Sequence, residues 1–241
     1  MAELQGTAVV VTGSSKGIGY GIAQALAEAG ADVAVSARSD AEVAAAVERL
    51  RRVGAGRVIG ARCDVRDTAE VERLIGRAVE AFGGLDVLVN NAGVGEFAPA
   101  GELDVEVWDR VIDTNLSGTF YASHAAIPHL RERGGGWIIN IASLAGKSAI
   151  AGGAAYNASK FGVVGLSEAM MLDLRHDEIR VVAVLPGSVN THFGDRAPSD
   201  ENAWMLQPED VARVVLDLLR FPPRALPSRI EIRPTAPPRK D

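Results

Sequence analysis

The chain has 241 residues, a formal net charge of −6, 47% hydrophobic and 23% charged residues, ordinary globular values that point to neither disorder nor residence in a membrane. The acidic balance argues against a general nucleic-acid binder, which needs a basic face to neutralise phosphates. A single cysteine, Cys63, excludes an internal disulfide and a multi-cysteine zinc site, and the four histidines show no metal-ligand spacing.

Strands alternate with helices from end to end, the pattern of a parallel sheet covered on both faces. A strand over residues 7–12 leads through a glycine-rich turn into a helix over 17–29, followed by a strand over 33–37. Ser39 and Glu42 form a capping box that opens the next helix, which ends near Gly54 and Gly56. A strand over 58–63 precedes a helix whose Val71, Leu74, Ile75, Ala78, Val79 and Phe82 recur at helical spacing until Gly83 and Gly84 stop it. Then come a strand over 85–89, a long helix over 104–131 interrupted near Pro128, a strand over 137–141, and a helix over 153–175. A strand over 179–185, a helix over 208–220 and a strand over 229–232 complete the pattern, and 234–241, with three prolines, reads as a frayed tail.

No repeat or linker divides this series, so residues 1–241 are expected to form one domain. No apolar run reaches bilayer-spanning length, and the opening residues lack the basic region and cleavage site of a secretory signal, so a cytoplasmic protein is expected. Right-handed crossovers dictate a doubly wound α/β sheet of about seven strands, with its ligand crevice at the carboxyl ends of the strands near the point where strand order reverses.

The first turn, Thr12 to Gly19, spaces its glycines as G-x-x-x-G-x-G at Gly13, Gly17 and Gly19, with Ser15, Lys16 and Ile18 between them. Such a turn brings backbone N–H groups close to a pyrophosphate, and the helix behind it favours negative charge. Many dinucleotide folds end strand two in an acid that accepts from the adenosine ribose hydroxyls. Here the stretch reads Val35-Ser36-Ala37-Arg38. Arg38, with Lys16 in the turn, is suited to a 2′-phosphate, which predicts NADPH over NADH. Asp64, with Val65 after it, is suited to an adenine amino group or to a helix cap. Asn91, Ala92 and Gly93 close strand four with small residues that permit close approach.

Strand five ends in Ser143, and Tyr156 and Lys160 follow one turn apart on the next helix. A tyrosine keeps its proton to about pH 10, and a lysine cation at i+4 is expected to favour the phenolate and ease proton exchange. Taken with the glycine turn, Asp64, N-N-A-G at residues 90–93, Asn115, and Pro186-Gly187 followed by Thr191, these motifs make the chain similar to the short-chain dehydrogenase/reductase family in its short single-domain branch, over about residues 6–191.

The resemblance implies a Rossmann fold and interconversion of a ketone or aldehyde with an alcohol. By it, Tyr156 is the general acid, Ser143 holds the carbonyl oxygen, Lys160 binds the nicotinamide ribose and tunes the tyrosine, and Asn115 positions a water. Pro186, Gly187, Val189 and Thr191 then line the nicotinamide end. The resemblance also implies a mobile lid over 190–207, where Phe193 and Trp204 are expected to meet an apolar or amphipathic substrate. The helices over 104–131 and 153–175 are family dimer surfaces, so a homodimer or homotetramer is expected. The chain ends in Arg229-Ile230-Glu231-Ile232-Arg233-Pro234 rather than in the glycine pair common among acyl-thioester reductases, which counts against a 3-oxoacyl thioester as substrate and against the tetramer. A dinucleotide-binding redox sensor would not need Tyr156, and a sugar-nucleotide epimerase would need a further substrate domain.

Overall fold

The structure, a computed structural model, describes residues 3–194 and 197–238; residues 195–196 of the expected lid and 239–241 of the expected tail lie outside the described residues. Seven strands, β1 (Ala8–Val11), β2 (Asp32–Ala37), β3 (Val58–Arg62), β4 (Val87–Asn90), β5 (Gly136–Ile141), β6 (Ile179–Pro186) and β7 (Arg229–Ile232), form one sheet. The order is β3-β2-β1-β4-β5-β6-β7, and every pairing is parallel. Chain order reverses between β1 and β4, where the crevice of a doubly wound sheet opens.

The helices α1 (Gly17–Glu28), α2 (Asp40–Val53), α3 (Thr68–Phe82), α4 (Val105–Ile112), α5 (Gly118–Glu132), α6 (Ala154–Leu174) and α7 (Pro208–Leu219) cover both faces. Because side chains alternate across a strand, Val9 and Val11 of β1 pack with α1, α2 and α7, while Val10 packs with α3, α5 and α6. Strands buried on both faces are continuous apolar runs, which is why the central ones are so visible in the sequence. Among the described residues no helix is long and apolar enough to cross a membrane.

Two local features differ from expectation. The long helix is broken at Asn115, not at Pro128: residues Asp113–Ser117 form a π-turn between α4 and α5, and Pro128 lies inside the unbroken α5. The cause is a tertiary contact, because the Asn115 amide accepts from Val94 N and donates to Val94 O, each at 2.8 Å, tying the turn to the loop after β4. Wide turns of this kind concentrate where a helix serves a site. The capping box of α2 is also only half formed. The Ser39 hydroxyl accepts from Glu42 N at 3.3 Å, but the Glu42 side chain turns away toward the glycine-rich turn.

Beneath the crevice runs a buried polar chain. Asn90 donates to the Ser123 hydroxyl at 2.9 Å and to Asn140 Oδ1 at 2.8 Å, and Asn140 donates to the Ser167 hydroxyl at 2.8 Å. It links α5, β4, β5 and α6 directly behind the strand ends. A buried polar group stripped of its partner costs about 1–3 kcal/mol, and Asn140→Leu removes two buried bonds and leaves one Asn90 N–H without an acceptor, while Ser167 keeps its bond to Val163 O. This variant is expected to lose about 2–4 kcal/mol of stability, read as a lower midpoint in urea unfolding.

Candidate active site

A cleft of about 920 Å³ follows the carboxyl ends of the strands, from Arg38 and Lys16 at one end to Phe193 and Ile150 at the other. Its floor is built where β1 meets β4. Asn91 donates from its amide to Thr12 O at 3.0 Å and Gly13 O at 2.8 Å, while the backbone N–H groups of Asn91 and Ala92 both donate to the Thr12 hydroxyl at 3.1 Å. Gly13 has a φ of +60°, and a Cβ there would lie 2.7 Å from the Ala92 Cα, so only glycine lets the turn close.

At the glycine-turn end, Gly13, Ser15, Lys16, Gly17 and Ile18 line the cleft with Arg38, Asp64, Val65, Asn91, Ala92 and Gly93. Gly19 lies behind the wall, where a Cβ would be 2.4 Å from Gly13 O; it permits α1 to approach the turn. Asp64 is held in an ion pair by Arg66, whose Nε donates at 2.9 Å, and its carboxyl is kept below the ordinary carboxylate range mainly by that hydrogen bond. The helix-cap role belongs instead to Asp67, which accepts from Glu70 N. Cys63, just past β3, lines the cleft, and burial pushes its thiol up to about 12.

Glu42, expected only as a cap partner, also lines this end. Its carboxylate accepts from the Ser15 hydroxyl at 3.0 Å and from Lys16 Nζ at 3.3 Å, and those two hydrogen bonds chiefly hold it below the ordinary carboxylate range. The signal was its place in the first turn of α2, directly after Arg38, which reads equally well as half of a capping box.

At the other end, Ser143, Tyr156, Lys160, Pro186, Gly187, Val189, Thr191 and Phe193 line the cleft. Ser143 stands just past β5, where its hydroxyl accepts from Ala145 N at 3.1 Å and caps a short turn. Phe97 and Phe193 flank the Tyr156 ring at centroid distances of 5.6 and 5.5 Å. Phe97, with Ile150, had no motif to announce it, and Trp204, expected at the substrate, is not part of this wall. Asn115 is also outside the wall. It donates to the Ser159 hydroxyl at 3.0 Å, and Ser159 donates to Tyr156 O at 2.8 Å, so it braces the helix that presents the tyrosine.

Electrostatically this end differs from the expectation of an acidified phenol. Burial raises the Tyr156 pKa, with the Ser143 hydroxyl working in the opposite direction. Lys160 Nζ lies 5.8 Å from the Tyr156 ring centroid and donates to Ile141 O at 2.9 Å. Burial brings Lys160 down to about 8. Since its folded pKa is below the ordinary lysine value, the unfolded chain holds the extra proton between the two, and stability rises with pH across that window. The wild-type protein is therefore expected to gain stability relative to Lys160→Met, by on the order of 2–3 kcal/mol, as pH climbs from about 8 to about 10.5, measured by paired denaturant titrations.

The family model for short chain dehydrogenase matches residues 7–202. The 3beta-hydroxysteroid dehydrogenase 2 of Eggerthella lenta is 39% identical over 201 residues, covering 82% of this chain and 77% of that protein. The alcohol dehydrogenase of the archaeon Thermococcus sibiricus, solved with 5-hydroxy-NADP, superposes with a TM-score of 0.90 at 29% identity, over 97% of this chain and 99% of that one. A variant actinorhodin polyketide ketoreductase solved with NADPH superposes with a TM-score of 0.84 at 35% identity, over 94% and 95% of the two chains. A seven-stranded parallel sheet with this crevice, matched along most of its length, makes the chain a member of the short-chain dehydrogenase family of oxidoreductases.

Proposed function

We propose that the chain is an NADPH-dependent reductase of a ketone or aldehyde, reversible as an alcohol dehydrogenase, with Tyr156 as its general acid and base. The observation that carries this reading is convergence: the Ser143 hydroxyl, the Tyr156 phenol and the Lys160 ammonium share one end of a cleft whose other end is a glycine turn with Lys16 and Arg38. The alcohol dehydrogenase and ketoreductase structures with NADP-type ligands support the cofactor class.

The residues present suit such a cofactor. The glycine turn opens onto the N-terminus of α1, whose first residues leave backbone N–H groups for an anion. Lys16 and Arg38 would take the 2′-phosphate, Asp64 and Val65 the adenine, and Pro186, Gly187, Val189, Thr191 and Lys160 the nicotinamide end. When bound, the nicotinamide supplies or accepts the hydride at the carbonyl carbon.

The protein's own groups handle the oxygen. A phenol whose burial keeps it protonated is poised to donate to the carbonyl oxygen as negative charge develops there. The Ser143 hydroxyl donates to the same oxygen and fixes its position. Lys160, a cation below about 8, lowers the cost of the phenolate that remains, and Asn115 holds the loop after β4 and the tyrosine's helix in register through Val94 and Ser159.

The substrate end is apolar, with Phe97 and Phe193 both packed against the tyrosine ring and Ile150 and Leu144 also lining it. Residues 190–207 would cover it as a lid. The segment's ends are joined where Asn190 N donates to Leu206 O at 2.8 Å, and Asn190 exchanges side-chain bonds with Ser199. The second-copy surface is the exposed apolar face of α4, α5 and α6, bearing Trp108, Phe120, Phe161 and Leu172. Large apolar groups exposed together on these helices support an association surface.

Tyr156→Phe is expected to fold and to bind NADP⁺ as the wild type does, while its ketone-dependent oxidation of NADPH falls by about 10²-fold or more. Retained turnover would remove the tyrosine from the acid role. In sedimentation velocity the wild type should run as a dimer or larger, and Phe120→Glu combined with Phe161→Glu should release monomers.

A further inference from the structure

Resting on the NADPH reading, we propose that Glu42 is a built-in anion of the 2′-phosphate pocket, which competes with the phosphate for Lys16 and so limits how strongly the chain prefers NADPH to NADH.

Helix α2 grips the glycine turn at two points spaced two turns apart on one face. Glu42 accepts from the Ser15 hydroxyl at 3.0 Å and from Lys16 Nζ at 3.3 Å. Arg49 donates to Ser15 O at 2.9 Å while its guanidinium stacks 4.1 Å over the Tyr20 ring. Ser39 begins the helix, so the chain that leaves β2 through Arg38 returns one turn later with a carboxylate in the same recess. Ser15, Lys16, Arg38, Ser39 and Glu42 all line that end of the cleft. Arg38 also acts on Glu42 through space, adding to the pull that keeps it ionised.

The consequence follows from counting charge. Lys16 and Arg38 bring two positive charges, and Glu42 cancels one of them before any ligand arrives. A phosphate monoester carries about −1.5 to −2 at neutral pH, so it meets a like charge in the recess and must take Lys16 from an existing partner. An adenosine ribose with a free 2′-hydroxyl meets no such opposition, and a carboxylate can accept from it. Both members of the pair are roughly half exposed, with side-chain exposures of 58% for Lys16 and 47% for Glu42. An ion pair that open contributes little to folding, so its exchange for another partner costs the fold little. Asp64, the other acid nearby, is already engaged by Arg66 and does not share this position.

The test is a calorimetric titration of NADP⁺ and NAD⁺ into the full-length wild type, Glu42→Gln, Glu42→Ala and Arg38→Ala at fixed ionic strength, with circular dichroism to establish folding. Glu42→Gln keeps the shape and the Ser15 contact, and Glu42→Ala removes both, so two variants report on the charge. Each is expected to bind NADP⁺ about three- to tenfold more tightly, with NAD⁺ affinity falling or moving by less than about twofold. Unchanged or weakened NADP⁺ binding in both variants overturns the proposal, and so does an equal gain for both nucleotides. Arg38→Ala tests the underlying cofactor reading separately. A selective loss of about tenfold or more for NADP⁺ supports that reading, and no loss removes it whatever the Glu42 variants do.

Discussion

The carboxyl ends of β1 and β4 must come within contact distance at the point where strand order reverses, and the cleft exists because a small set of polar atoms holds them there. Asn91 places its amide across the gap onto Thr12 O and Gly13 O, and the Thr12 hydroxyl accepts from the backbone N–H groups of Asn91 and Ala92. Gly13 has no Cβ because Ala92 occupies that volume. Parallel strands cannot be joined by a tight hairpin, so the register of these two ends depends on such cross-ties. The glycine turn and the loop after β4 take their positions in the cleft from this junction.

Behind the junction, polar contacts replace apolar packing where the site needs a fixed geometry. The chain from Ser123 through Asn90 and Asn140 to Ser167 crosses the sheet under the cleft, and the contact from Val94 through Asn115 and Ser159 to the Tyr156 carbonyl runs beside it. Hydrogen bonds are directional, whereas packing alone tolerates small slips. The tyrosine's helix is therefore anchored to both the strand-four loop and strand five, and Lys160, buried one turn on, is directed onto Ile141 O at the end of β5.

Much of this was legible in the sequence, for physical reasons that also mark its limits. Strands buried on both faces are continuous apolar runs, and β2, β5 and β6 could be read almost to the residue; the glycine turn could be read because so tight a turn admits few residue types, and the Y-x-x-x-K pair because its spacing is one helical turn. The π-turn at Asn115 escaped because it depends on a bond to Val94 from another segment, while Pro128, the obvious local breaker, is accommodated inside α5. Glu42 fits a cap partner by its local pattern, and only the tertiary approach of α2 to the first turn gives its carboxylate better donors. Trp204 and Phe97 exchange importance for the same reason: loop side chains have no periodicity from which their direction can be inferred.

The two ends of the cleft are built by different rules, and this bears on how the chain could change its specificity. At the glycine-turn end the walls are strand ends and helix first turns, with Ser15, Glu42, Arg49, Asp64 and Arg66 cross-bonded to one another or to the backbone. At the tyrosine end the walls beyond the sheet are loop residues, Phe97 and Ile150 among them, whose backbones are tied by Asn157 and the Ala98–Gly152 bond but whose side chains make apolar contact and are half exposed. Altering a residue in the first group disturbs several directional bonds together, whereas altering one in the second removes contact area and little else. Side chains at Phe97, Ile150 and Phe193 can thus vary without disturbing the junction of β1 and β4, and Ser143, Tyr156 and Lys160 stay in place because they are fastened to β5 and α6 rather than to the loops.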